Sequence, residues 1–146
     1  MKVKFRAFVN ADVLTVREKM DYALTESTRG IVAYNAESAE TLAIFLAEGW
    51  TETSASVHQV ILNSMVIRHG WFEEIASFMF TVAERKKLFT IVPDNHVKAI
   101  KLNGKLGFTQ VARLQEAYAV GVDYLLLELK RENCPYWGQP ALRKVG

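Results

Sequence analysis

IVPDNHVKAIKLNGKLGF, residues 91–108, carries the strongest local structural signal in the chain. Its first residues finish a β-branched and aromatic run, Leu88 to Val92, that reads as a strand. Pro93-Asp94-Asn95 then makes a turn, with Asp94 or Asn95 as a helix cap. Ala99, Leu102 and Leu106 follow at helical spacing and form an inner face. Gly107 stands where a left-handed residue is needed to end a helix, and Phe108 can pack back onto it. Strand, turn, helix and stop are all spelled out within these residues.

Working outward toward the C-terminus, Thr109 to Leu114 and Val122 to Leu129 read as two more strands. The tail from Glu132 has mixed turn residues and no period. Toward the N-terminus, Gly70 opens a helix. Phe72, Ile75, Met79 and Val82 are expected as its buried stripe, with Glu73 and Glu74 in the first turn. Arg85, Lys86 and Lys87 close it. Before it lie three runs with short connections: Ile31 to Tyr34, Thr41 to Trp50 with Leu42, Ile44 and Leu46 on one face, and Ser56 to Leu62. They suggest an antiparallel meander. Lys2 to Val9 alternates as a half-buried strand. Asp12 sits where an N-cap belongs, before an amphipathic helix expected over residues 12–25. The order is strand, helix, three strands, helix, strand, helix, two strands. That is an α/β domain over residues 1–131 with a mixed sheet, followed by a tail at 132–146.

The composition agrees with one packed domain. The 146 residues are half hydrophobic, enough for a sizeable core. Eighteen basic and 16 acidic residues nearly cancel, giving a net charge of +2. Nucleic-acid domains carry a stronger, clustered basic excess, so no nucleic-acid partner is expected. Arg85, Lys86, Lys87, Lys98, Lys101 and Lys105 are read as solvated helix faces. No apolar run is long enough to span a membrane, and no signal peptide is seen. Together these suggest a cytoplasmic protein, in the cytoplasm of a bacterial host if phage-encoded. The single cysteine, Cys134, excludes an intrachain disulfide. Three scattered histidines do not resemble a metal site.

The stretch from Asn95 to Phe108 resembles the signature of the GNAT (acyl-CoA N-acyltransferase) superfamily, N-x-x-x-A-x-x-L-x-x-K-L-G-F. Asn95, Ala99, Leu102, Lys105, Leu106, Gly107 and Phe108 match in register. The order of elements over about residues 3–130 is similar as well. Residues from Val57 to Cys134 also look like short GNAT-like proteins of phages and prophages. The resemblance implies a central sheet of about seven strands with three to four helices. It implies acetyl-CoA as cofactor, with its pantetheine arm lying between two splayed strands. It further implies transfer of an acetyl group to an amine of a small molecule or protein.

Residue by residue, the resemblance places the arm against Ile61 and Leu62 on the first splayed strand, a segment taken as Val57 to Leu62. A polar side chain at the mouth of the second falls to Asn95, which serves equally as a plain helix cap. Ala99, Leu102 and Lys105 follow on the helix. The pyrophosphate loop maps onto Val66, Arg68, His69, Gly70 and Trp71, where backbone N–H groups at a helix start receive phosphate. Phe72 stands where the family has a small residue, and its bulk is expected to hinder the phosphates. Asn103 stands where members often carry a tyrosine acid. Tyr118 or Tyr124 would then supply it, unless both are structural. His58, on the strand bordering the thioester, is the candidate base by its pKa range. It also fits a satisfied strand histidine. The departures at Phe72 and Asn103 motivate an alternative, a GNAT-fold binding or phage-associated module without transferase activity. The tail, with Tyr136 and Trp137, would dock on its own domain or on a second subunit, which leaves a homodimer open.

Overall fold

The computed structural model describes residues 1–138. The chain runs β1 (Val3–Ala7), α1 (Val13–Lys19), β2 (Arg29–Asn35), β3 (Thr41–Glu48), β4 (Ser54–Ile61), α2 (Met65–Arg68), α3 (Trp71–Ala76), β5 (Lys87–Pro93), α4 (Val97–Leu106), β6 (Thr109–Ala119) and β7 (Val122–Lys130). These strands make one seven-stranded sheet in the order β1-β2-β3-β4-β5-β7-β6. All neighbours are antiparallel except β4 and β5, which run parallel. The mixed α/β architecture is the one expected.

Two apolar layers sandwich the sheet. The larger gathers Trp71, Phe72, Ile75, Met79, Leu106 and Phe108 around Ala43, Phe45 and Ala47. The smaller gathers Val16 of α1 around Val32, Ile44 and Leu46. Strand β3 is therefore buried on both faces, from Leu42 through Ala47. Ile44 and Leu46 share a layer as expected, while Leu42 belongs to the larger cluster. Gly30 permits β2 to lie this close. A Cβ built there would stand 2.3 Å from the Phe45 carbonyl oxygen.

Several expectations are corrected. The first helix stops at Lys19, not at residue 25. Met20 is already extended, with φ −127° and ψ 139°. The hydroxyls of Thr25, Ser27 and Thr28 bond one another, and the Thr28 hydroxyl accepts the Thr25 N–H. Such local side-chain bonds compete with helix. Asp12 does not cap that helix with its side chain. Its buried carboxylate accepts both arms of the Arg6 guanidinium at 2.8 and 2.7 Å and the Val9 N–H at 2.9 Å. Burial pushes this carboxyl up, but those bonds prevail and hold it below the usual carboxylate range.

After Ala76 the helix continues as a π-helix, Ser77–Val82. The wider turn breaks the three-and-four spacing. Val82 is thereby 72% exposed, while Phe80 takes the inward place. Helix α4 begins at Val97 after a turn in which His96 N–H donates to Pro93 C=O, so neither Asp94 nor Asn95 caps it. Its end is as expected. Gly107 has φ +117°, and the N–H groups of Gly107 and Phe108 bond back to Gly104 and Asn103. Strand β6 runs on to Ala119, five residues past Leu114.

The described part of the tail docks on its own domain. Tyr136 packs edge-on against Phe72 at 5.1 Å, and the Trp137 indole N–H donates to Thr81 at 3.1 Å. Residues 139–146 lie outside the described residues.

Candidate functional site

The parallel pair in the middle of the sheet is incomplete. Pairing of β4 with β5 runs only from Ser54–Lys87 to Ser56–Phe89, after which the strands part. Which backbone groups face the resulting gap follows from the flanking ladders. Leu62 N–H donates to Leu42 C=O, so even-numbered residues of β4 turn their peptide groups to β3. Asp94 N–H donates to Asp123 C=O, so even-numbered residues at that end of β5 turn theirs to β7. In an antiparallel ladder the intervening residues point the other way. Gln59 and Ile61 on β4, and Ile91 on β5, thus aim peptide groups at a gap where the sheet gives them no partner; the Pro93 carbonyl on the same edge is already taken by the His96 N–H. Buried peptide groups demand partners, and a ligand rich in amides fits the gap. This geometry corrects one expectation. The N–H of Leu62 is already spent on β3, while Ile61 faces the gap.

A cavity of about 410 Å³ passes through this opening. From the helix layer it is lined by Phe45, Val57, Thr90, Val92, Ala99 and Asn103. From the opposite side come Met20, Asp21, Tyr22 and His58, and from the β6–β7 hairpin Tyr118 and Tyr124. The early stop of α1 matters here, because the extended segment after Lys19 walls the cavity. Register shifts in β6 place Tyr118: Leu114 pairs with Tyr124 but Ala119 with Val122, so β6 carries extra residues that bulge. The Tyr118 ring meets Tyr124 at 5.3 Å and His96 at 5.8 Å, both edge-on.

All three proposed catalytic side chains, His58, Tyr118 and Tyr124, therefore open onto one cavity. His58 is covered by the Tyr22 ring at 4.4 Å. Burial lowers its pKa, and the nearby Glu48 carboxylate only partly opposes this. A neutral ring at physiological pH is the proton-accepting form. Asn103 occupies the wall at the position discussed above. It is 8% exposed, and its amide donates to the Ala99 carbonyl at 3.0 Å.

The proposed cofactor contacts are distributed unevenly. Ala99 lines the cavity. Leu102 packs partly buried against the larger core, and Lys105 and Asn95 are exposed beside it. Asn95 lies in the turn that follows β5, at the open end of the gap. In the loop after β4, Val66 and the Trp71 side chain are fully buried in the core, so only their backbone is open to a ligand. The Trp71 indole N–H is engaged by Gln59 at 3.2 Å. Arg68 and His69 are exposed. Gly70 has φ +93°, and nothing stands within 4 Å of where its Cβ would be.

The expected obstruction by Phe72 is overturned. Its side chain is 0% exposed and turned into the core. The first intrahelical bond of α3 is Glu74 N–H to Gly70 C=O. The amides of Trp71, Phe72 and Glu73 at the helix start therefore have no intrahelical acceptor. The loop presents peptide N–H groups, an open glycine and an exposed arginine together.

Sequence reasoning missed Met20, Asp21 and Tyr22, because a helix extrapolated to residue 25 hid them. Among the described residues no helix is long and apolar enough to cross a membrane, and no three metal-ligating side chains gather.

No family model matches the chain, and no curated protein matches its sequence. Solved structures match its fold. The spermidine/spermine N-acetyltransferase SpeG from Vibrio cholerae superposes with a TM-score of 0.74 at 13% identity, over 90% of this chain and 94% of that one. The spermidine N-acetyltransferase of the same organism in complex with CoA and spermine gives 0.73 at 14% identity, over 93% and 98%. The chain has the GNAT fold.

Proposed function

We propose that this chain is an acetyl-CoA-dependent N-acetyltransferase that moves an acetyl group onto an amine of a small molecule or protein. The observation that carries this reading is the opening between β4 and β5, with unpartnered peptide groups on both lips and a cavity through it. The fold likeness supports it, since one neighbour is seen holding CoA and spermine.

The residues present fit the cofactor. Gln59, Ile61 and Ile91 would bond the amides of the pantetheine arm. The free amides of Trp71, Phe72 and Glu73 after Gly70, with Arg68 and His69, would receive the pyrophosphate. Asn95 and Lys105 would serve the mouth of the site, and Ala99, Leu102 and the Val66 backbone its apolar flank. Bound there, acetyl-CoA supplies a thioester carbonyl open to attack. The cavity would hold the amine nitrogen beside that carbon, which converts a bimolecular step into an oriented one. His58 would take the proton that the acceptor nitrogen sheds. Tyr118 or Tyr124 would hand a proton to the departing sulfur.

Calorimetry with acetyl-CoA on the wild type and on Ala99→Trp tests the reading. Binding lost in the variant, with CoA release when amines beginning with spermine are added, is the expected result. A folded wild type that binds no acetyl-CoA overturns it. Asn103 favours a second reading, a binding module that holds the cofactor without turning it over. Binding without CoA release from any amine is its signature.

A further inference from the structure

Glu48 is the last residue of β3, and His58 lies on β4. Their partners across the ladder are Ser56 and Leu46. Glu48 and His58 are thus diagonal neighbours on one face, within reach of long side chains. The His58 Nε2 stands 3.7 Å from the Glu48 Oε1. This nitrogen is sealed from solvent and has no hydrogen-bond partner. The contact is too long for a hydrogen bond but short enough for an ion pair once the ring is charged. The Tyr22 ring covers His58, and the Tyr22 hydroxyl is tied to the Thr28 hydroxyl at 3.1 Å. The imidazole is packed in place, and a proton arriving from the cavity cannot reach Nε2.

We infer that Glu48 is the positioning residue for His58: it keeps the ring proton on Nε2, leaving Nδ1 to take the proton from the acceptor amine. This rests on the transferase reading above. Glu48 does not line the cavity and acts through the histidine. In the step, the nitrogen of the acceptor loses a proton to Nδ1. His58 becomes an imidazolium, and the Glu48 carboxylate faces the positive ring. Other groups also face it. Asp21, Lys19 and Tyr22 come from the segment at the end of α1, and His96, Tyr118 and Tyr124 from across the cavity. Asp21 favours the imidazolium and Lys19 opposes it. Glu48 is the carboxylate that addresses the buried nitrogen.

The experiment is nitrogen-detected NMR of the His58 ring across pH in the full chain, for wild type, Glu48→Gln and Glu48→Asp. The expected wild-type ring carries its proton on Nε2. Glu48→Gln moves part of that population to Nδ1–H and lowers the ring pKa, and Glu48→Asp restores wild-type behaviour in part. An unchanged tautomer and pKa in Glu48→Gln overturn the proposal. This readout needs no turnover, so it stands apart from failure of the transferase reading. With an accepted amine, Glu48→Gln should cut kcat about tenfold, move the acidic limb of the pH profile to lower pH and leave the KM for acetyl-CoA unchanged. Wild-type kcat and pH profile in that variant overturn the positioning role.

Discussion

Strand β3 and the open half of the β4–β5 pair lie side by side in one sheet and meet opposite demands. Every residue of β3 from Leu42 to Ala47 is buried and apolar, and both of its edges are paired. The neighbouring gap exposes peptide groups that the sheet leaves without partners, and His58, Thr90, Asn103, Tyr118 and Tyr124 surround it. Buried peptide groups are ordinarily satisfied, so an unzipped parallel pair costs stability. The doubly packed strand beside it offsets that cost. The lesson is one of division: packing is concentrated in β3 and its two layers, while the open half of the next pair is left with unsatisfied peptide groups.

Variants can break this comparison in order of effect. Leu46→Ala removes a fully buried side chain from the smaller layer. It should cost about 2–5 kcal/mol in denaturant titration. Gly30→Ala puts a methyl against the Phe45 carbonyl at 2.3 Å and Leu46 Cδ2 at 2.8 Å. A loss of about 1–3 kcal/mol is expected, and a neutral result would show that β2 can move off β3. In the gap the order of effects reverses. Ala99→Trp should leave the midpoint of denaturation nearly unchanged while weakening acetyl-CoA at least about tenfold, or about 1.4 kcal/mol of binding. If it instead unfolds the chain, the gap is part of the core and the division is wrong. Asn103→Tyr sharpens the test from the catalytic side. A rise in kcat with no change in cofactor affinity is expected if protonation of the leaving sulfur limits the rate.

The smallest effect is in the pH dependence. Burial lowers the folded pKa of His58 below its ordinary value. Between the two values the unfolded chain binds a proton that the folded chain does not. Stability is therefore full above about pH 6.5, and is lost as pH falls toward the folded pKa. Urea titrations from pH 7.5 down to pH 5 should show that slope, flattened in His58→Gln. An unchanged slope in the variant would mean that the ring is solvated.

The order of elements was legible from local pattern, and the α4 segment most of all. Asn103 to Phe108 hold their own stop signal. Gly107 is the residue that reaches φ +117° without strain, and Phe108 supplies the apolar contact, so no distant partner is needed. His58, Tyr118 and Tyr124 were legible as residue types suited to proton transfer. The rest came from long-range packing. The parting of β4 from β5 lies in no residue's propensity, because both segments read as ordinary strands; it arises from what each pairs with on its far side. Tyr22 reached the cavity because α1 ends early, where hydroxyl bonds around Thr28 overrule an apolar helical spacing. Val82 was turned to solvent by a π-turn that shifts the register. Phe72 left the loop around Gly70 open because packing drew its ring inward. In each case local pattern states which side chains prefer burial, and long-range packing chooses the direction in which they find it.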